Sequence, residues 1–272
     1  MKQCKFYMLV VMPLLWLGCE KSTPPKPAND ANSQTKVPAR PTAVNRASNS
    51  SIEVKVPAND NEPPTPLAKK IGKNVYFELN PENGQRRVFV SATVCLREGD
   101  FGLECLMCRK GTKEHESILS TDSDARVIHF GLEAANAKAG APVQFEPKFQ
   151  SPTGTPIKIT LLYRHHGKIV TRPAEQWIQN VKTKKALDEQ WVFAGSQLYK
   201  DPENPTMEPI YLATAEGAYI SVANVPTAML DLPINSPKHL DERGFSPFTE
   251  RIPALETKVL VILEPILKNK KD

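Results

Sequence analysis

Three cysteines and one histidine form the most reactive grouping in this sequence. Cys105 and Cys108 are separated by two residues, Cys95 precedes them, and His115 follows seven residues after Cys108. That spacing lets two thiolates reach one metal ion, with His115 as a third donor and Cys95, from a neighbouring strand, as a fourth. Three sulfurs and an imidazole suit zinc. An oxidising compartment would instead pair such cysteines, and a disulfide would leave one thiol over. If residues 103–108 form a strand, Cys105 and Cys108 point to opposite faces, which weakens both a chelate and a direct bridge between them. The leading expectation is therefore a structural disulfide or buried thiols. A metal site on Cys95, Cys105, Cys108 and His115 is the alternative, and a redox-active dithiol comes third.

The second grouping is Lys113-Glu114-His115-Glu116-Ser117, with Asp122 and Asp124 close behind. A histidine between carboxylates has its tautomer readily fixed and its basicity raised, as a general base or a supported metal ligand requires. The same composition also makes a solvated loop ahead of a helix. Lys113, His115, Glu116 and Ser117 are the candidate ligand-binding residues. No catalytic residue is assigned, because Ser117 as a nucleophile would need an oxyanion hole and the sequence shows none. His165-His166 reads as a hairpin turn in which adjacent imidazoles face opposite ways.

The elements that must position these residues are mostly strands. Val75 to Leu79 and Arg87 to Leu96 flank Asn83-Gly84, a tight-turn signal, and predict a hairpin. Phe101 to Cys108 reads as a third strand. Ser120-Thr121-Asp122-Ser123 offers a helix cap, followed by Ala125, Val127, Ile128, Leu132 and Ala135 at helical spacing; this is the principal helix, stopped by Gly140-Ala141-Pro142. Ile157 to Tyr163 with Lys168 to Thr171 predicts a second hairpin, and Pro173 to Ile178 a short helix. Trp191 to Leu198 reads as a strand, Ile210 to Ala213 with Ala218 to Val222 as a third hairpin, Pro226 to Leu230 as a helical turn and Lys258 to Leu263 as a closing strand. Trp177 and Trp191 are expected in the core. The fold class expected is α+β: mainly antiparallel hairpins with one principal helix and short helical turns. Neither a Gly-rich phosphate loop nor a nucleophile elbow occurs.

The first 70 residues have a different composition. Lys2 and Lys5 precede an apolar run from Phe6 to Leu17 that ends in Gly18-Cys19. As a helix of roughly 18 Å the run is too short to span a bilayer core of about 30 Å. Residues 1–18 are thus expected to be a lipoprotein signal peptide, with Cys19 as the lipidated residue and the membrane as a partner through that anchor. Glu20 to Leu67 holds nine of the 25 prolines, and no aromatic residue stands between Trp16 and Tyr76. Residues 19–69 are therefore expected to be a disordered tether. The domain is expected over 70–266, with a basic tail, 267–272. A net charge of +5 over 272 residues falls to about +3 without Lys2 and Lys5, too little to imply a nucleic-acid partner.

The segments around Lys113 to Leu119, Glu175-Gln176-Trp177-Ile178, Trp191 to Ser196, Glu216-Gly217 through Asn224, and Asp231-Leu232-Pro233 follow one another as they do in the YdjY-like bacterial proteins, and the chain resembles that family over about residues 70–266. The resemblance implies one envelope-associated domain and no established activity. Some members are labelled ferredoxin-like, but an iron-sulfur cluster needs four ligands and the folded region has three cysteines. The expectation is thus an envelope lipoprotein facing the periplasm or exterior, a non-catalytic binding or assembly module for an unidentified envelope protein or ligand, without a cofactor. The alternative is a metal- or thiol-dependent protein, an enzyme or electron carrier, using zinc at Cys95, Cys105, Cys108 and His115.

Overall fold

The structure, a computed structural model, describes residues 52–99, 102–204, 206–235 and 244–267. The expected signal peptide, Cys19, the tether as far as residue 51 and the lysines of the tail lie outside the described residues. In chain order the elements are β1 Lys69–Gly72, β2 Val75–Leu79, β3 Arg86–Val94, β4 Cys105–Arg109, β5 Ser117–Thr121, α1 Ala125–Ala134, β6 Pro156–His165, β7 Lys168–Pro173 and β8 Ile178–Asn180. They continue with β9 Trp191–Phe193, β10 Leu198–Tyr199, β11 Ile210–Tyr211, α2 Leu212–Glu216, β12 Ala218–Ser221, β13 Leu230–Asp231, β14 Phe245–Pro247 and β15 Lys258–Pro265.

Eight of these strands close on themselves. The order β3-β15-β6-β9-β13-β12-β4-β5 returns to β3 through Thr93↔Ser120 and Val94↔Leu119. Neighbours are antiparallel except β12–β13 and β4–β5, which are parallel. Six reversals of direction, an even number, make the strand directions consistent when the ring closes, and every strand of the ring has two partners. The expected α+β class is therefore corrected: the protein is mainly β, a closed eight-stranded barrel, with strand residues outnumbering helical ones about three to one.

Period-two alternation builds the wall. Val88, Val90, Ala92 and Val94 on β3, Ile157, Ile159, Leu161 and Tyr163 on β6, and Val259, Val261 and Leu263 on β15 enter the main core. The residues between them, Phe89, Leu162, Leu260 and Ile262, form a second apolar cluster on the other face. Both faces of this wall are buried, which explains the unbroken apolar run in β15. What covers the second face is the chain preceding β1, where Val54, Val56 and Ala68 pack with Tyr76. Polar contacts pin this segment: Thr65 Oγ1 donates to the buried Glu78 carboxylate, whose other oxygen takes two bonds from Arg87 at 2.9 and 2.5 Å. The Tyr76 hydroxyl donates to the Asp60 carbonyl (2.6 Å) and Lys258 Nζ to the Ala58 carbonyl (2.7 Å). Residues 52–69, expected as tether, are thus packed against the barrel.

The principal helix is present but is an accessory. Asp124, not a residue of 120–123, caps α1 by accepting from the Arg126 amide (2.9 Å), because Ser120 and Thr121 belong to β5. Ile128 and Leu132 enter the core, and Gly131 lets α1 approach β3: a Cβ there would stand 3.2 Å from Val88. Other boundaries shift for local reasons. The Trp191 strand stops at Phe193, since Gly195 and Ser196 have φ of 90° and 58°. The expected third hairpin is interrupted by α2, which ends on Gly217 in the left-handed region (φ 82°), and β11 pairs with β10 instead. The expected helical turn over 226–230 runs instead into β13. Trp177 and Trp191 are fully buried, as expected.

Closure rests on β5, whose Leu119 is buried and faces both Val94 and Met107 in register. Leu119→Ala should cost about 2–5 kcal/mol, a large-to-small cavity in a site with little freedom to collapse. Urea unfolding monitored by tryptophan fluorescence measures this.

Candidate functional site

β5 carries its neighbours' chemistry on both sides. On one side the chain leaving β3 places Cys95, whose amide donates to the Ile118 carbonyl (2.9 Å) and whose thiol donates to the Ser117 carbonyl (3.1 Å). On the other side β4 runs parallel, with Cys108 paired to Ser120. Cys95 and Cys108 thus stand on the two sides of β5. The Cys108 side chain, and after it burial, push the Cys95 thiol far above the ordinary thiol range. Cys108 is lowered by the Cys95 side chain, with the Ser117 hydroxyl and the Lys113 amide, against the effect of burial.

The third cysteine stands apart. Cys105 is fully buried beside Ala218 and Ala228, its sulfur 3.6 Å from Ser221 Oγ, and burial pushes its thiol up. The strand argument for Cys105 and Cys108 pointing apart thus agrees with the structure. All three thiols are free, so the expected disulfide is absent among them.

The charged grouping is divided too. Lys113 Nζ lies 2.5 Å from Glu104 and 3.3 Å from Glu116, and Glu104 is buried. Burial works against the Lys113 charge, yet the two carboxylates outweigh it and hold the ammonium at about 12. This is a clamp between the start of β4 and the turn before β5. His115 does not join it: its side chain is 75% exposed and its Nε2 is 3.9 Å from Glu116. Ser117 is fully buried, and its hydroxyl has no conventional hydrogen-bond partner. Among the described residues no three His, Cys, Asp or Glu side chains converge as a metal site, so Cys95, Cys105, Cys108 and His115 are not brought together as the zinc set the sequence suggested. At the β6–β7 turn the His165 and His166 rings touch, with centroids 4.1 Å apart; His166 has φ 48°, which removes the alternation of a strand.

A cleft of about 260 Å³ opens beside the seam. Its walls are the covering segment at Pro57, Asn59 and Asp60, the β3 and β5 ends at Thr93, Cys95 and Ser120, and Lys258 of β15. Sequence reasoning missed it because one wall comes from the stretch expected to be disordered. Asp60 pairs with Lys70 (2.6 Å) and Asp122 with Lys73 (2.5 Å). Burial alone would raise the Asp122 carboxyl, but Lys73 and Asn74 hold it below its usual value.

Opposite the seam, the segments that carry the resemblance hold the short strands together. Trp191 Nε1 donates to the Ser221 carbonyl (2.6 Å), and Asn224 Nδ2 to Asp231 Oδ1 (3.0 Å) and the Leu232 carbonyl (2.9 Å). Asp231 is fully buried, and burial pushes its carboxyl up to about 7 despite the bonds from Asn224 and the Leu232 amide.

Fold and seam define the class: a closed-barrel domain with a free thiol on each side of the strand that shuts the barrel. The family model for the YdjY domain matches residues 80–264, and the chain belongs to the YdjY family. Comparison with curated proteins and with solved structures returns no match.

Two measurements follow from these charges. Lys113→Ala removes the counter-ion beside buried Glu104 and should cost about 3–5 kcal/mol, whereas His115→Ala should stay within about 0.5 kcal/mol, both read by urea unfolding. Asp231 holds its proton up to about 7 when folded but only to the ordinary aspartate value of about 3.9 when unfolded. Between these limits the folded state binds more protons, so stability falls as pH rises through that window. Asp231→Asn, which mimics the protonated acid, should flatten the decline in a series of melts from pH 4 to 7.

Proposed function

We propose that this YdjY-family protein is a lipid-anchored, non-catalytic binding module of the cell envelope, facing the periplasm or exterior, and that its cleft takes a small ligand rich in hydroxyl and amide groups. The cleft carries this reading. It is bordered by neutral hydrogen-bonding side chains such as Asn59, Thr93 and Ser120. Of its four acids, Asp60 and Asp122 are held in ion pairs, and Glu114 accepts from the Gly111 amide. Carboxylates held this way orient a ligand and make poor proton acceptors. The anchoring part of the proposal rests on Cys19 after a short apolar run. Among the described residues no helix is long and apolar enough to cross a membrane.

Two experiments test the two halves. In the expressing bacterium, Cys19→Ala should abolish acyl labelling and leave the chain unprocessed or released from membranes; unchanged labelling, mobility and processing contradict the anchor. Ligand-observed NMR with disaccharide-peptides from peptidoglycan and with small polyols should show saturable contact that Thr93→Trp, which fills the cleft, removes. No saturable signal, or an equal signal from that variant, contradicts the binding role.

A further inference from the structure

We infer that residues 52–68 are a strap that lifts from the barrel as one unit and, in lifting, opens the cleft. The lifting stands apart from any ligand; that it regulates binding rests on the binding role proposed for the cleft.

Hydrogen bonding sets this stretch apart. Its main-chain bonds close on itself: the Lys55 amide donates to the Pro64 carbonyl (3.0 Å) and the Glu62 amide to the Asn59 carbonyl (3.3 Å). The Glu62 carboxylate tightens the same turn, taking bonds from Lys55 Nζ (2.6 Å) and the Ala58 amide (2.8 Å). Among the described residues no hydrogen bond between main-chain groups joins residues 52–68 to any strand. The attachments run through side chains instead. Lys258 Nζ donates to the Ala58 carbonyl (2.7 Å), the Tyr76 hydroxyl to the Asp60 carbonyl (2.6 Å), and both Lys70 Nζ and the Asn74 amide to the Asp60 carboxylate. Thr65 Oγ1 donates to Glu78. Apolar cover is thin: Val54 and Val56, both half-buried, and Ala68 pack with the face that carries Phe89, Leu162 and Leu260. A segment folded on itself and attached by few bonds opens at a lower free energy than strands laddered on both edges. Once lifted, a turn of this size does not keep its hydrogen bonds in water.

The cleft exists only while the strap is down. Pro57, Asn59 and Asp60 form one wall, and Cys95 and Ser120 stand in another. Asp60 serves both purposes, since it lines the cleft and receives three of the attachments. A ligand that touches both walls therefore favours the seated strap, and by the same linkage a lifted strap weakens the ligand. In sequence the strap joins the barrel to the Cys19 side of the chain. A pull from the proposed lipid anchor thus reaches the strap before it reaches any strand, and the cleft loosens under that pull.

The test is native-state hydrogen exchange with mass-mapped alkylation on the full, reduced chain. The Lys55 and Ala58 amides should exchange together and faster than the Leu260 and Val261 amides of β15. Thr65→Val removes one attachment at the far end of the strap and leaves the cleft lining untouched. It should speed Lys55 and Ala58 by one common factor, about 10-fold for loss of a bond to a charged group. Iodoacetamide labelling of Cys95 should rise with it, while Cys105, fully buried, stays unlabelled over the same time. Tyr76→Phe, which removes a different attachment, should repeat the pattern. Lys55 and Ala58 exchanging as slowly as Leu260, acceleration confined to Ala68 beside the substituted Thr65, or unchanged labelling of Cys95 in both variants would overturn the inference. Strap opening together with the absence of any saturable ligand signal supports the strap and contradicts the binding role alone.

Discussion

Hydrogen bonding along both edges of β5 is the constraint on which the rest depends. One edge meets β3 at Thr93 and Val94, the other meets β4 from Cys105 to Arg109. Without β5 the sheet would be an open sheet with two exposed edges, β3 unpaired at its end and β4 unpaired along its length. Closure satisfies those backbone groups and removes the edges that invite association. It also explains why the strand is buried at all five positions although three of them carry hydroxyls. Thr121 Oγ1, for example, donates to the Ser91 carbonyl (2.8 Å), so burial leaves that hydroxyl satisfied.

Closure in turn concentrates polar chemistry at one seam. β4 and β5 run parallel, so the chain between them must cross back, and the Lys113 clamp onto Glu104 and Glu116 fixes that crossing. Gly217 takes the matching place beside it: a Cβ there would stand 2.1 Å from Thr112 Oγ1, and its φ of 82° ends α2 against the same loop. Lys113 and Ser117 are thus positioned by a structural clamp, while His115, between them in sequence, faces water.

Long, strictly alternating strands were legible from sequence, and so were the helix over 125–134 and the burial of Trp177 and Trp191. The closed barrel was not. β5 has only Ile118 and Leu119 as apolar residues, and Ser120-Thr121 matches a helix cap as well as a strand end. β9, β12 and β13 are four residues or shorter, below the length at which periodicity separates strand from turn. A parallel pair such as β12–β13 joins residues that no local turn signal connects. The covering segment was hidden for a compositional reason: its prolines and asparagines read as tether, and only Val54, Val56 and the pins at Asp60 and Thr65 reveal that it has a surface to cover. Of the candidate site, the cysteines and Lys113 to Ser117 stood out in the sequence as a region. Their placement around β5 depended on a strand the sequence did not announce.

Native-state amide hydrogen exchange at the seam tests closure most directly. The Cys95 amide bonds to Ile118 (2.9 Å) and the Lys110 amide to Thr121 (2.8 Å), one on each side of β5. If β5 closes the barrel, both amides exchange only through global unfolding, as slowly as those of Leu260 and Val261 in β15. Exchange at either amide as fast as along β7, which pairs with β6 alone among the described strands, would contradict a closed barrel.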